Sequence, residues 1–318
     1  MVIGVAHSYE WREVSIDPAS EAAWAHPAVA LTSDGDVLTV RADGSQLVKI
    51  AGDGEISFLP IAVTECHGIA PVASGGFWIA DHGHKFVPAQ PEYTGFFHDG
   101  AVARYSTEGQ VELRLEAPDG EPWRPSGVAV HDFGRRSNAS VWVADGYGRN
   151  VVHRFSAKGE LLWSSDGSDS GTSFNTPHGI IVDTRSVTPM LQVADRGNRR
   201  IVSLDLDGHY VGEFGGDTLT SPSGFALDRN LLWVTELFGG LVAFGADDSV
   251  EEQLGLPLDT PDQPAGWPNA QGADGTVRPG LRPGRLHSPH GIACGPDGSL
   301  WVAEWLIGGR VSRLSRNP

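Results

Sequence analysis

The chain has 318 residues, of which 40% are hydrophobic and 20% charged, a composition typical of a globular protein with a sizeable core. Its formal charge of −17 argues against nucleic acid or an anionic membrane as a partner, and no apolar stretch has the length of a membrane-spanning helix. The start, Met1 to Trp11, has no signal-peptide pattern, and two cysteines, Cys66 and Cys294, are too few for a disulfide framework, so we expect a cytoplasmic protein.

One short phrase recurs along the chain, and each copy opens a run of short apolar strands. Its first position is a proline or cysteine and its second position varies. The third position is a glycine in most copies, and a few apolar residues follow. Copies begin near residues 27, 66, 125, 177, 222 and 289. The variable second position is, in chain order, Ala28, His67, Ser126, His178, Ser223 and His290. Histidine therefore falls on every second copy.

The unit that begins at Pro177 shows the strand pattern most clearly. We predict four short strands there, over residues 179–183, 191–195, 200–204 and 209–214. Four strands per unit are typical of a propeller blade, so the repeats predict an all-β fold, a six-bladed β-propeller forming one domain over residues 1–318. The last unit has only three strands of its own. Because residues 9–15 alternate as a strand does, we predict that this N-terminal strand completes the last blade and closes the ring.

Two insertions and a set of tryptophans complete the pattern. Residues 254–287 form a long loop rich in proline and glycine, of the kind that serves as a lid or stays disordered, and residues 93–99 form an insertion in the second blade. One tryptophan recurs in the second strand of four units, where we expect packing between blades rather than ligand stacking: Trp78, Trp142, Trp233 and Trp301.

The three histidines of the phrase are candidate metal ligands. Alternate copies in a closed ring stand about 120° apart, so His67, His178 and His290 would converge on the central channel. Three neutral imidazoles that leave one coordination position open match a catalytic Zn²⁺ site, although Cu²⁺ or Fe²⁺ also accepts nitrogen ligands. The alternative is a hydrogen-bonded trio without metal. Three other histidines lie outside the phrase and are second choices: His82, His84 and His287.

The last residue of each second strand shares an edge of the blade with the phrase. These residues are Arg41, Asp81, Asp145, Asp195, Glu236 and Glu304. For the carboxylates we expect a structural role, the capping of a turn. Tyr147 and Arg196 follow two of these strands and should lie at the same end of the central channel as the histidines. There a phenol can act as general base and a guanidinium can hold a carboxylate.

The same residues carry a family resemblance. The stretches Val141 to Tyr147, Pro177-His178 and Val193 to Asn198 resemble NHL-repeat propellers, and the chain is similar to the peptidyl-α-hydroxyglycine α-amidating lyases. The resemblance implies zinc on His67, His178 and His290, a catalytic tyrosine at Tyr147, and active-site arginines at Arg196 and Arg41. Ser288 and Gly291 replace a methionine and a calcium-binding aspartate of that family, which argues against calcium, and Gly148 replaces a disulfide cysteine.

The resemblance implies a metal-dependent carbon–nitrogen lyase. Its substrate would be a small α-hydroxyglycine or related 2-hydroxy acid, bound through its carboxylate at the channel mouth. Two other functions remain open. One is a metal-dependent hydrolase or lactonase on the same propeller, and the other is a non-enzymatic NHL interaction module, for which the alternating histidines would have no explanation. The sequence does not indicate the natural substrate or the oligomeric state.

Overall fold

The computed structural model describes residues 8–16, 22–89, 92–132, 139–255 and 264–317. Within these ranges the chain is almost entirely β-strand. Its helical elements are three single 3₁₀ turns, Pro118–Gly120, Ser168–Ser170 and Arg196–Asn198. In the part of the chain described, no helix has the length and apolarity needed to cross a membrane.

Six antiparallel sheets of four strands form the blades of a six-bladed propeller, as predicted. The strands of each blade, from the axis outward, are Ala30–Leu31, Val37–Val40, Gln46–Ile50 and Ile56–Pro60 in blade 1; Cys66–Pro71, Phe77–Asp81, Ala101–Tyr105 and Val111–Arg114 in blade 2; Gly127–His131, Ser140–Asp145, Val151–Ser156 and Leu161–Ser165 in blade 3; Pro177–Asp183, Met190–Asp195, Arg200–Leu204 and Tyr210–Phe214 in blade 4; Pro222–Asp228, Leu231–Glu236, Gly240–Phe244 and Val250–Leu254 in blade 5; and Pro289–Cys294, Leu300–Glu304, Arg310–Arg316 and Tyr9–Val14 in blade 6.

The first strands of the blades form the inner ring, since each contacts the first strands of the two neighbouring blades. Behind this ring lie six buried apolar clusters, one between each pair of adjacent blades. Trp142 and Trp233 are fully buried in these clusters and Trp78 is nearly so, which agrees with the expected packing role. Trp301 is only partly buried and lies under the Arg313 guanidinium, 5.6 Å from its ring centre. Burial of flat apolar faces between blades therefore stabilises the ring.

The N-terminal strand closes the ring, as predicted. Tyr9–Val14 pairs antiparallel with Arg310–Arg316, from Tyr9 opposite Arg316 to Val14 opposite Val311. The buried Arg310 side chain joins the closing strand to the blade, because its guanidinium donates hydrogen bonds to Glu13 of the closing strand and to Glu304 of the second strand. The closing strand thereby covers the edge that Arg310–Arg316 would otherwise expose and gives blade 6 its fourth strand.

Both predicted insertions contribute short hairpins near one end of the channel. In blade 2, His84–Pro88 pairs with Tyr93–Phe97, between the second and third strands. In the long insertion, Ala270–Gly272 pairs with Gly275–Val277, while residues 256–263 lie outside the described part of the chain. A third short ladder joins Trp24–Ala25 to Leu306–Ile307.

Candidate metal centre and active-site mouth

The inner ring brings the three phrase histidines together on the axis. His67, His178 and His290 are each no more than 3% exposed. The Nε2 atom of His290 lies 3.2 Å from Nε2 of His67 and 3.3 Å from Nε2 of His178. Three imidazoles from alternate blades thus point one nitrogen each at a common point.

Backbone carbonyls of the intervening blades fix the tautomer of each ring. Nδ1 of His67 lies 2.5 Å from the Ser126 carbonyl oxygen, and Nδ1 of His178 lies 2.8 Å from that of Ser223. Nδ1 of His290 lies 3.2 Å from the carbonyl oxygen of Pro27. A carbonyl only accepts hydrogen bonds, so each Nδ1 carries the proton and each Nε2 presents a lone pair. Blades 2, 4 and 6 supply the imidazoles, and blades 3, 5 and 1 orient them.

This arrangement fits a tetrahedral metal ion. Zinc–nitrogen bonds of about 2.0–2.1 Å at tetrahedral angles separate two ligand nitrogens by about 3.3 Å, and the two separations given above are 3.2 and 3.3 Å. Lone pairs that face one another at this distance repel unless a cation lies between them. A histidine that binds a metal through one ring nitrogen commonly donates the N–H of the other nitrogen to a backbone carbonyl, as Nδ1 of each ring does here.

The electrostatics of the cluster keep the imidazoles neutral. Burial, followed by the adjacent imidazoles, lowers the pKa of His67 well below its usual range. Burial and then the Arg196 guanidinium lower the pKa of His178 in the same way, and the same two causes lower the pKa of His290 to about 3. Neutral imidazole is the form that binds a metal ion, so the site is ready for one at neutral pH.

A fourth histidine, His26, joins the cluster. The candidate ligand nitrogens of His26, His67, His178 and His290 all lie within 4.8 Å of one another. The His26 ring is partly exposed, lies 4.3 Å from the His67 ring and stacks on Trp305 at 5.0 Å. It is therefore placed to act as a fourth ligand or to face a molecule bound beside the metal.

Tyr147 and Arg196 stand at the cluster, as the sequence predicted. The Tyr147 hydroxyl is 3.3 Å from Nε2 of His67 and 3.1 Å from Nε2 of His178. Nη1 of Arg196 lies 3.3 Å from the same hydroxyl, and Nη2 donates to the Ser223 hydroxyl at 3.0 Å. A phenol, a guanidinium and three imidazole nitrogens thus meet within hydrogen-bonding distance.

The structure does not bring Arg41 to this cluster. Its guanidinium donates to the side chain of Gln46, the first residue of the next strand, at 2.9 Å and lies 3.6 Å from the carboxylate of Asp43 in the connecting turn. Local partners therefore hold the side chain at the edge of blade 1, and among the described residues Arg41 is not part of the mouth lining. Arg124 occupies the mouth instead, with its guanidinium 5.5 Å from the centre of the Phe97 ring.

The strand-end carboxylates hold the phrases in place. Each accepts a backbone N–H from a residue one or two positions before a phrase, at 2.6–2.8 Å: Asp81 from Thr64, Asp145 from Arg124, Asp195 from Asn175, Glu236 from Thr220 and Glu304 from His287. The carboxylates therefore have the expected capping role. The segments that they cap are those leading into the first strand of each blade. These carboxylates position the histidines without touching them.

Above the histidines lies a cavity of about 470 Å³, the mouth cavity. Its lining consists of Trp24, His26, Glu65, His82, His84, Phe86, Arg124, Tyr147, Arg196 and Trp305. Glu65 forms a buried ion pair with Lys85 at 2.7 Å, and Lys85 also donates to the Trp24 and Ala42 carbonyls. Burial raises the pKa of Glu65, against the lowering effect of Lys85. Because the charges of Glu65 and Lys85 offset each other, the cationic groups that remain at the cavity are the guanidinium groups of Arg124 and Arg196.

Four lining residues that the sequence analysis did not single out follow two positional rules. His26, Glu65 and Arg124 each stand directly before a phrase, and Trp305 stands directly after a strand-end carboxylate, as the predicted Arg196 does. Reading these positions around the ring would have found them. Among the second-choice histidines, His82 and His84 line the cavity, whereas Nε2 of His287 lies 2.7 Å from the Pro268 carbonyl oxygen outside the lining.

Comparison with known proteins agrees with the fold and the resemblance. No protein-family model matches the chain. It is 23% identical over 281 residues to the peptidylglycine alpha-amidating monooxygenase of Rattus norvegicus and 23% identical over 284 residues to that of Mus musculus. Each match covers 84% of this chain but only 24% of the relative, so the chain spans about a quarter of their length.

Solved structures share the fold at low identity. A Xanthomonas campestris protein described as a gluconolactonase superposes with a TM-score of 0.62 at 15% identity, over 98% of this chain and 92% of its own. A streptogramin B lyase gives a TM-score of 0.58 at 13% identity, over 97% and 98% of the two chains. The relatives and fold neighbours of this propeller thus include enzymes, and its axis carries a histidine cluster able to hold a metal ion.

Proposed function

We propose that this protein is a metal-dependent carbon–nitrogen lyase that cleaves small N-acyl-α-hydroxyglycines into an amide and glyoxylate. Three features support this proposal: the converging imidazoles, the Tyr147 hydroxyl and the Arg196 guanidinium. The similarity to amidating monooxygenases, which covers 84% of this chain, adds support. The observation that carries the proposal is the meeting of all three chemical groups at one point.

His67, His178 and His290 would hold the cation, which we take to be Zn²⁺, with Cu²⁺ and Fe²⁺ as the alternatives. His26 is available as a fourth nitrogen ligand. When bound, such an ion supplies Lewis-acid stabilisation of negative charge on oxygen.

The chain's own residues account for binding and proton transfer. In the proposed reaction Arg196, with Arg124 across the mouth, holds the substrate carboxylate. Tyr147 would act as the phenolate, after losing its own proton to solvent. Its oxygen removes the proton from the substrate hydroxyl, and the electron pair of that O–H bond becomes the new C=O bond of glyoxylate. The C–N bond breaks with its electrons on nitrogen, and the proton returns from Tyr147 to that nitrogen to give the amide. Atoms and charges therefore balance without a further reactant.

A direct test is turnover of N-acyl-α-hydroxyglycines beside a panel of lactones and esters. The proposal predicts equal amounts of amide and glyoxylate from the wild type and loss of this activity in His178→Ala. Faster lactone hydrolysis would instead favour the hydrolase, which the same metal site could support. Absence of both activities and of bound metal would favour a non-enzymatic module.

The compartment of this reaction is also a proposal. Cys66 and Cys294 are both free, and Cys66 is fully buried beside His67. Reduced thiols are usual in the cytoplasm, so we propose that the protein works there on a small carboxylate-bearing molecule.

A further inference from the structure

One side of the mouth cavity is an aromatic wall formed by Trp24, Phe86 and Trp305. The Trp24 ring stacks on Phe86 at 4.7 Å and 27°, and lies nearly parallel to Trp305 at 6.1 Å and 28°. Trp305 also stacks on His26. A continuous row of flat rings therefore leads from the histidine cluster toward the outside of the mouth.

The insertions support this wall from behind. Tyr93, on the blade 2 hairpin, contacts the Trp24 ring edge-on at 5.8 Å and anchors its hydroxyl on the Ala22 carbonyl at 2.6 Å. Trp267, in the long insertion, contacts Trp305 edge-on at 5.8 Å. Each tryptophan of the wall is thus stacked between two neighbouring rings, Trp24 between Phe86 and Trp305, and Trp305 between Trp24 and His26. Its ring edges are left for the cavity, and edge-to-face contact is a favoured geometry between aromatic rings. The wall is accordingly a preorganised aromatic surface.

The cavity also has a cationic side. The half-buried Arg124 and Arg196 both line it, and the Glu65 carboxylate is neutralised by Lys85. In a chain of net charge −17, two arginines without an ion-pair partner among the described residues mark a local site for an anion. A complementary molecule therefore carries a carboxylate at one end and a flat apolar group at the other.

From this pairing we infer that the preferred substrate has an aromatic acyl group, as in an N-aroyl-α-hydroxyglycine. This inference rests on the proposed lyase function for the reaction but not for the binding. The carboxylate binds Arg196 and Arg124, and the aromatic ring packs against the edges of Trp24 and Trp305. The cavity volume of about 470 Å³ falls within the range of small-molecule sites, which favours a compact molecule over a long peptide.

Binding of unreactive analogues tests the inference separately from catalysis. N-benzoylglycine and N-acetylglycine lack the hydroxyl that the reaction needs, and their affinities for the metal-loaded protein can be compared by titration calorimetry. We expect N-benzoylglycine to bind about tenfold more tightly, since aromatic packing and apolar burial contribute only to that ligand. Similar affinities, or no binding of either, would overturn the inference.

Three variants sharpen the test. Trp305→Ala should bring the ratio of the two affinities close to one, and Trp305→Phe, which keeps a flat ring, should retain the preference. Trp163→Ala is the matched control, because Trp163 is a partly buried tryptophan of blade 3 whose indole donates to the Leu206 carbonyl away from the mouth. A preference that survives in Trp305→Ala would contradict the inference.

Turnover then separates the two proposals. If N-benzoylglycine binds selectively but neither α-hydroxyglycine is cleaved, the lyase proposal fails and the aromatic site stands. If the N-acetyl compound is cleaved as efficiently as the N-benzoyl compound, the lyase proposal stands and the aromatic preference fails.

Discussion

At the residue scale, the central feature is a set of histidines whose protonation is dictated by the backbone. Two neighbouring imidazoles normally share a hydrogen bond between a protonated and an unprotonated nitrogen. Here Nδ1 of each ring already donates to a carbonyl, so the Nε2 atoms of His67, His178 and His290 face one another as acceptors. The Tyr147 hydroxyl has one proton and cannot satisfy three lone pairs. A shared cation resolves the conflict.

Tyr147→Phe should separate catalysis from metal binding. Removing the hydroxyl takes away the proposed general base while leaving the imidazoles in place, so kcat should fall by about 10²–10⁴-fold with metal content unchanged. Steady-state kinetics with metal analysis of the same preparation measure both. A kcat within a factor of three of the wild type would exclude Tyr147 from proton transfer.

The metal-free protein should lose stability in mild acid. The pKa of His290 is about 3 in the folded protein, whereas an unfolded histidine has a pKa near 6.5. Between these values the unfolded chain binds a proton that the folded chain does not, so the free energy of unfolding falls as the pH drops below about 6.5. At pH 5 the loss from this one residue is about 2 kcal/mol.

Urea denaturation of metal-free protein across this pH range measures the effect. His290→Gln, which lacks the titrating group, is the comparison and should show a shallower pH dependence. Equal slopes for the two proteins would show that His290 is not held neutral by the fold.

At the element scale, the phrase glycine lets the inner strands approach closely enough to share hydrogen bonds. A Cβ atom at Gly127 would stand 2.5 Å from the His178 carbonyl oxygen of the next blade, and one at Gly179 would collide with the Ser223 carbonyl. The Ser223 carbonyl that Gly179 approaches is the one that accepts from the His178 ring. These glycines therefore help to position the metal site.

Gly127→Ala should weaken both the fold and the site. The added methyl group must push the first strand of blade 4, which carries His178, at a cost of about 1–3 kcal/mol, and metal affinity should fall with it. Gly212→Ala is the matched control, because a Cβ there meets no atom within 4 Å. Chemical denaturation and metal titration of both variants test this. Equal behaviour of the two would contradict the close-approach argument.

The repeated phrase made much of this scale predictable. It located the first strand of most blades and the alternation of histidines, because period and spacing are properties of the sequence. It did not reveal that the backbone carbonyls of Ser126 and Ser223 orient the rings of His67 and His178. These contacts depend on the relative position of neighbouring blades, which the sequence pattern does not specify. Arg41 shows the same limit. Its position in the repeat matched, but Asp43 in the following turn and Gln46 at the start of the next strand hold the side chain.

At the scale of the whole molecule, six repeats produce a threefold site only if the ring is closed. Closure depends on Tyr9–Val14, which pairs with the last strand of the chain. The sequence predicted this pairing because the last unit lacked a strand. It did not predict the aromatic wall, since Trp24, Phe86 and Trp305 come from three distant segments that only the closed ring brings together.

Trp11→Ala should loosen the closure. Trp11 packs on the apolar cluster between blades 5 and 6 and lies 5.5 Å from the Arg310 guanidinium. Because the side chain is only partly buried, we expect a loss of about 2–3 kcal/mol rather than the larger cost of a core tryptophan. Arg12→Ala, at an exposed position of the same strand, should cost little. Equal unfolding midpoints in urea would show that the strand contributes no stability through this packing.

The account as a whole depends on a cation held by three alternate blades, and metal analysis of purified protein tests it most directly. We predict about one equivalent of metal per chain in the wild type and in His153→Ala, and almost none in His178→Ala. His153 is a suitable control because it is equally buried, at 3% exposed, but bonds to Ser164 in blade 3. A wild-type protein without metal, or a His178→Ala variant that retains it, would contradict the central claim.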